Sequence, residues 1–287
     1  MTTSAAAVPV RDPERLDAIG RRSRRNFTIS AVSTLVVLGV LGVLIVNSPG
    51  WPVVRTAFFN ADFAKDSLPN IIKGLKLTVL LFITAEPVVL LIGLVLAVVR
   101  GLHAPVFTPV RLLAIAYTDV VRGIPTILLV FMFGFGFPAL NLQGLPDSAL
   151  FWGWFALVVS YSAYVAEVLR AGLESVHPSQ RAAARALGLN EYQSLRLVVI
   201  PQAVRRVVPP LLNDFIALQK DTALIAILGA GIEMTRAAQI DALGGFNFTP
   251  FVVAACFYVL LTVPLTRYAD WIGERQRRRS QASAGAL

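Results

Sequence analysis

Apolar runs of about 20 residues, the length that crosses a bilayer as a helix, alternate with shorter polar stretches along the chain. The first run covers 27–46 and holds no charged residue. No A-x-A-type cleavage site follows it, so it is expected to stay as a transmembrane helix rather than leave as a signal peptide. The second, 71–99, has Lys73 and Lys76 near its start, where they can snorkel. Glu86-Pro87 near its middle predicts a kink. The third, 112–137, contains Asp119, Arg122 and Pro125; Asp119 and Arg122 are three apart, share a helix face and can pair. The fourth, 149–169, ends in YSAYVAEVLRAG, with Glu167 and Arg170 at the same spacing. The fifth starts at Pro209-Pro210, suited to the first turn of a helix, reaches about 232, and contains Asn213, Asp214, Lys220 and Asp221. The sixth, 248–265, leads into a basic amphipathic end and a short disordered tail at 275–287. The pattern predicts an all-α membrane protein with about six transmembrane helices.

One charged interruption stands out among these runs: HPSQRAAARALGLNEYQSLRLVVIPQAVRRVVPP, residues 177–210. Pro178 and Ser179 suit a helix start, with Ser179 as N-cap. Small residues follow, and Gly188 sits where a left-handed residue would end the helix. A second start falls at Asn190, and that helix is expected to run to Pro201. Two short helices broken at Gly188 would present a small, Ala-lined surface that another protein can approach closely. The plain alternative is a loop that merely contains helices.

Composition and charge narrow the class. Hydrophobic residues make up 56% and charged residues 15%, against about 45–50% and about 25% in globular domains. The net charge of +9 does not point to nucleic acid, because the basic residues sit in the gaps between apolar runs, as topology signals do. Arginines crowd residues 1–26, the 177–206 loop and the C-terminal end, while the opposite loops carry only Arg55, Lys65 and Arg236. That asymmetry predicts both termini and the loop on the cytoplasmic side. Residues 1–26 read as a mobile Arg-rich tail. One cysteine and two histidines leave no disulfide and no His/Cys metal site.

Beyond composition, Ala183-Ala184, Gly188, Val198, Ile200 and Pro201 match the spacing of the EAA loop of ABC-importer permeases. The stretch resembles the loop by which those permeases dock on their ATPase. Further matches are GLKLTVLLF, YTDVVRGIPTILLVFMF, AYVAEVLRAGLESV, VIPQAVRRVVPPLLNDFIALQKDTAL and VPLTRYADWI. Together they resemble the permease subunits of polar amino-acid importers related to histidine and glutamine permeases, over about 68–274, with the 27–46 helix outside. The chain departs from that pattern at Ala182, where the family has Glu, at Ala223, where a Ser often follows the Thr, and at Ser179, where Gly is usual.

The resemblance implies a type I ABC importer permease fold with a cytoplasmic coupling-helix loop, in a bacterial inner membrane. It implies two ATPase partners that bind ATP-Mg, a second permease copy or sister chain, and an extracytoplasmic substrate-binding protein. Ala183, Ala184, Arg185, Gly188 and Pro201 are the implied coupling residues. Arg122, Glu167, Asp214 and Lys220 are candidates for the substrate path, since a basic residue can meet a carboxylate and an acidic one an amino group. The rival reading of the same charges is that they pair with one another and only hold the bundle together. The sequence lacks G-x-x-x-x-G-K-[ST] and any G-x-S-x-G or H-E-x-x-H, so no enzyme site and no resident cofactor is expected. A stand-alone secondary transporter of small polar solutes is the alternative, although no pair of repeated halves with broken helices is visible.

Overall fold

The computed structural model describes the backbone of residues 13–102 and 104–284, and side chains for 26–102 and 104–276. The chain divides between Thr56 and Ala57. In the N-terminal unit, α1 (Pro13–Val46) contains the expected crossing but starts well before it. Residues 13–26, read as tail, are therefore helical; residues 1–12 lie outside the described residues. A short α2 (Trp51–Phe58) follows.

In the second unit, α3 (Ala61–Arg100) is the longest element, about 60 Å at 1.5 Å per residue. Asn60 caps it by accepting from the Asp62 and Phe63 backbone N–H groups at 2.9 and 3.3 Å. Its buried positions, including Ile71, Gly74, Thr78, Leu81, Ala85, Val89, Gly93 and Ala97, recur every three or four residues. They form one stripe. The helix continues through Glu86-Pro87, the site of the expected kink. Ala85 and Val89 stay on the same stripe, and close packing holds the turn: a Cβ on Gly93 would collide with Val165 of the facing helix α7 (Ala149–Glu174).

The third expected crossing is broken. α4 (Thr108–Gly123) and α5 (Thr126–Phe131) meet at a bend of 103°. Pro125 has no N–H and forces the residue before it out of the helical region; Ile124 accordingly has φ −97° and ψ 128°. A π-helical turn, Met132–Gly136, and α6 (Phe137–Leu140) complete the arm. α7 lies at the centre. Its small positions admit neighbours closely, and the Leu228 side chain fills the space beside both Gly134 and Gly153.

Beyond α7 come α8 (Pro178–Ala186), α9 (Glu191–Ser194), a π-helical turn (Leu195–Val199) and α10 (Ile200–Asp221). The fifth crossing was expected to begin at Pro209-Pro210, yet both prolines lie inside α10. They leave the carbonyls of Arg205 and Arg206 without helical partners. Both residues are exposed, so water can take those bonds. A 3₁₀ stretch, Thr222–Leu228, then leads to α11 (Met234–Gly245) and α12 (Thr249–Ala284). The disordered tail expected from 275 is helical to Ala284.

The main core joins α3, α7, α10 and the arm through residues such as Val89, Val130, Leu157, Val165 and Leu218. A second joins α3, α11 and α12 around Ile71, Met234 and Ala254. The described residues form an all-helical multi-pass membrane protein. Four helical stretches are long and apolar enough to cross a bilayer, five when the bent pair counts as one. α10, the remaining expected crossing, interrupts its apolar positions with Arg205, Arg206, Asp214, Lys220 and Asp221.

Candidate coupling surface and intramembrane polar sites

The 177–210 segment is built by its caps. His177, not Ser179, is the N-cap of α8: its ring nitrogen accepts from the Ser179 N–H at 3.2 Å. Pro178 then occupies the first helical position, where a missing N–H costs nothing. At the other end, Leu189 N–H donates to the Ala184 carbonyl at 3.1 Å and Gly188 N–H to the Arg185 carbonyl at 2.9 Å. Those two bonds, with Gly188 at φ +82°, form a Schellman motif. Asn190 and Gln193 then make a reciprocal capping box at 2.8 and 3.0 Å. The second helix was expected to stop at Pro201. It continues through the π-helical turn into α10, because the wider turn ahead of Pro201 relieves the clash between its ring and the preceding carbonyls.

Of α8, only Ala184 is buried. Ala183, Arg181 and Arg185 are exposed, as are Leu187 and Tyr192 at the tip. Pro201 is exposed on the first turn of α10. Val176, Val199 and Ala203 form a small core beneath the segment. Arg206 anchors it by donating to the Ser175 carbonyl. A cleft of about 830 Å³ opens between the segment and the ends of α3 and α7, with Arg100, Arg170, Arg181, Arg185, Glu174 and Glu191 on its walls.

Next to that cleft, one carboxylate gathers arginines from three helices. Glu167 Oε2 pairs with Arg100 at 3.0 Å and with Arg122 at 3.6 Å, and Oε1 pairs with Arg170 at 2.5 Å. Arg170 also pairs with Glu174. Arg100 donates to Thr118 Oγ1 at 2.9 Å as well. Arg122 lies over the Tyr164 ring at 5.8 Å. The expected pairing of Asp119 with Arg122 does not occur among the described residues; Arg122 instead turns to the opposite-charge cluster on α7.

The structure pairs Arg122 with Glu167 of the four path candidates, and sets Asp214 within the field of Arg122 without direct contact. Neither Asp214 nor Lys220 forms an ion pair among the described residues. Lys220 is exposed, and one oxygen of the half-buried Asp214 is shielded with no hydrogen-bond partner. Asp221 accepts from Tyr161 at 2.8 Å. Internal contacts thus account for Glu167, Asp221 and Arg206, and leave Asp214 and Lys220 without a direct ion pair among the described residues. Sequence reasoning missed Arg100, because its position at a helix end reads as a topology marker. It missed Glu233 altogether.

Comparison with known proteins agrees with this architecture. The model of the family described as binding-protein-dependent transport system inner membrane component matches residues 90–278. The probable glutamine ABC transporter permease protein GlnM of Bacillus subtilis (strain 168) is 32% identical over 219 residues, covering 75% of this chain and 97% of that protein. The arginine transport system permease protein ArtQ of the same organism is 30% identical over 226 residues, covering 78% and 99%. A crystal structure of an amino acid ABC transporter with histidines superposes with a TM-score of 0.65 at 31% identity, covering 72% of this chain and 94% of that one.

Proposed function

The chain belongs to the family of binding-protein-dependent transport system inner membrane components, and on that premise we propose that it forms the translocation path of an ATP-driven amino-acid importer. It is a transport permease, and its relatives carry glutamine and arginine in their names. The partners follow from the same reading. Two ATPase subunits bind ATP-Mg and hydrolyse it, a second copy or sister permease completes the path, and an extracytoplasmic binding protein delivers the amino acid. The setting is a bacterial plasma membrane, with the 177–206 loop and both termini on the cytoplasmic side, as the arginine distribution supports.

The observation that carries the coupling assignment is the build of α8. A short helix, fixed at both ends by its own caps, buries Ala184 and leaves Ala183, Arg185 and Leu187 outward. Gly188 sets its end, and Pro201 starts the helix that carries motion into the bundle. In the path, Arg122 offers a guanidinium to a substrate carboxylate and Asp214 an unpartnered oxygen to an amino group; Lys220 is a second cation, and Glu167 holds Arg122 in place.

Purification of the tagged chain from its native membrane in mild detergent tests this reading. An ATPase subunit should accompany the wild-type chain. Gly188→Val should remove it while the chain still inserts, because a β-branched residue is strongly disfavoured at positive φ. In reconstituted vesicles ATP-driven uptake should fall at least about tenfold. Recovery of the chain without any ATPase, together with substrate flux independent of ATP, would favour a stand-alone carrier.

A further inference from the structure

Glu233 is wholly buried, and no ion pair neutralises it among the described residues. It is the N-cap of α11. Its Oε2 accepts from Thr235 N–H at 2.8 Å and its Oε1 from Arg236 N–H at 2.6 Å. The first N–H of the helix, on Met234, is satisfied from another helix: it donates to Thr78 Oγ1 of α3 at 3.1 Å. The Thr78 hydroxyl also lies 3.4 Å from Glu233 Oε2. The N–H groups of Met234, Thr235 and Arg236, three of the donors a helix start leaves without intrahelical partners, are therefore taken, two by the cap and one by α3.

An ordinary cap would need less. Asn, Asp, Ser and Thr cap well with short side chains, and burying a carboxylate is costly. The extra methylene of Glu lets the same group cap α11 and touch α3. Gly74, one turn before Thr78, allows the approach, since a Cβ there would meet the Glu233 and Met234 backbone at 2.8 Å. On its other side α11 bonds to α12, through Thr235 Oγ1 and Tyr258 OH at 3.1 Å.

The chain on either side of α11 is turned by left-handed residues: Gly229 at φ +67° and Gly231 at φ +76° before it, and Phe246 at φ +48° after it. The segments flanking the glycines, Thr222–Leu228 and α11, together wall a wide-mouthed cavity of about 260 Å³, open to the surface and lined by Ala223, Leu224, Ile227 and Thr235 with Ile127 and Phe251. On the permease reading above, we propose that Glu233 is a positioning residue: through Thr78 it locks the Gly229–Gly231 hinge to α3, so that the walls of this cavity move only when α3 moves. Motion started at the coupling segment, at the far end of α3, then reaches the cavity through a rigid connection.

The test uses the full chain with Cys256→Ser and Ala223→Cys as a reporter on the cavity wall. Glu233→Asp keeps a cap and loses the reach to α3. Thr78→Val keeps Glu233 and removes the hydroxyl without changing shape much. Each is expected to raise the rate of labelling by a water-soluble maleimide about tenfold, and the double variant no further than Thr78→Val alone, because that variant already removes the Thr78–Glu233 contact together with the Met234 one. Rates equal to the parent, or effects that multiply in the double variant, would overturn the proposal. Both variants should still fold, which monodispersity and melting check, and Thr78→Val decides the matter if Glu233→Asp does not. In vesicles containing the partner ATPase and binding protein, uptake per ATP hydrolysed should drop about tenfold, with basal hydrolysis unchanged. Absence of ATP-driven uptake by the parent chain would defeat the permease reading instead, while the labelling result would still decide on the lock.

Discussion

Glu167 and Glu233 both sit where helices meet, and the bundle balances their charges by opposite means. Glu167 keeps 22% of its side chain exposed and is surrounded by three guanidinium groups. Glu233 is at 0% exposure and has backbone N–H groups and the hydroxyls of Thr78 and Thr235, assisted by the positive end of the α11 dipole. The first arrangement ties α3, α4 and α7 together beside the 177–210 segment. The second ties α11 to α3 about 30 Å away along the helix, counted from Arg100 to Thr78 at 1.5 Å per residue. Mobile cations can rearrange around a partly exposed carboxylate. Fixed N–H donors cannot follow one that moves. The difference suggests an adjustable joint at the end of the bundle beside the 177–210 segment and a rigid one at the other.

Removing each group separates the two kinds of joint. Glu233→Ala should be the most damaging, because it strands two buried N–H groups and leaves a void. A loss of about 3 kcal/mol is expected, seen as a fall of about 10 °C in the melting temperature of the purified chain; a fall within error of the parent would break the comparison. Glu167→Gln should cost less, about 2 kcal/mol. Unpairing a fully buried arginine costs more, but Arg100 retains Thr118 and the site is partly solvated. The same two variants sharpen the contrast with salt. Near 1 M, where the Debye length is about 3 Å, the Glu167→Gln loss should shrink and the Glu233→Ala loss should not. The smallest effect is expected for the long Arg122–Glu167 pair. A double-mutant cycle with Arg122→Ala should return about 0.5 kcal/mol of coupling, and a value several times larger would mean that Arg122 belongs to the joint rather than to the path.

The legibility of these sites followed the distance of their partners along the chain. Glu167–Arg170 was readable because i and i+3 share a helix face. Asp119–Arg122 has the same spacing and does not pair, since Arg122 has a competing anion on another helix. The Gly188 turn was readable because a Schellman motif uses only local backbone groups. The N-cap at the start of the same helix was misplaced onto Ser179, because histidine is a rare cap. Pro125 and Pro201 look alike in sequence. One bends the chain by 103°, and the other is absorbed by a π-helical turn; neighbouring packing makes the choice.

By itself, the sequence determined the membrane class, the apolar stretches and the two short helices of the 177–210 segment with the glycine between them, because hydrophobicity and local backbone bonding are properties of consecutive residues. It also carried the family resemblance, through motifs of fixed spacing. Only the tertiary structure decided that Arg100 and Arg122 converge on Glu167, that α10 begins nine residues before its proline pair, and that Thr78 completes the cap of a helix 156 residues later. Those outcomes depend on which helices pack together, and the balance between burying a charge and finding it a partner is struck across space, where no local pattern records it.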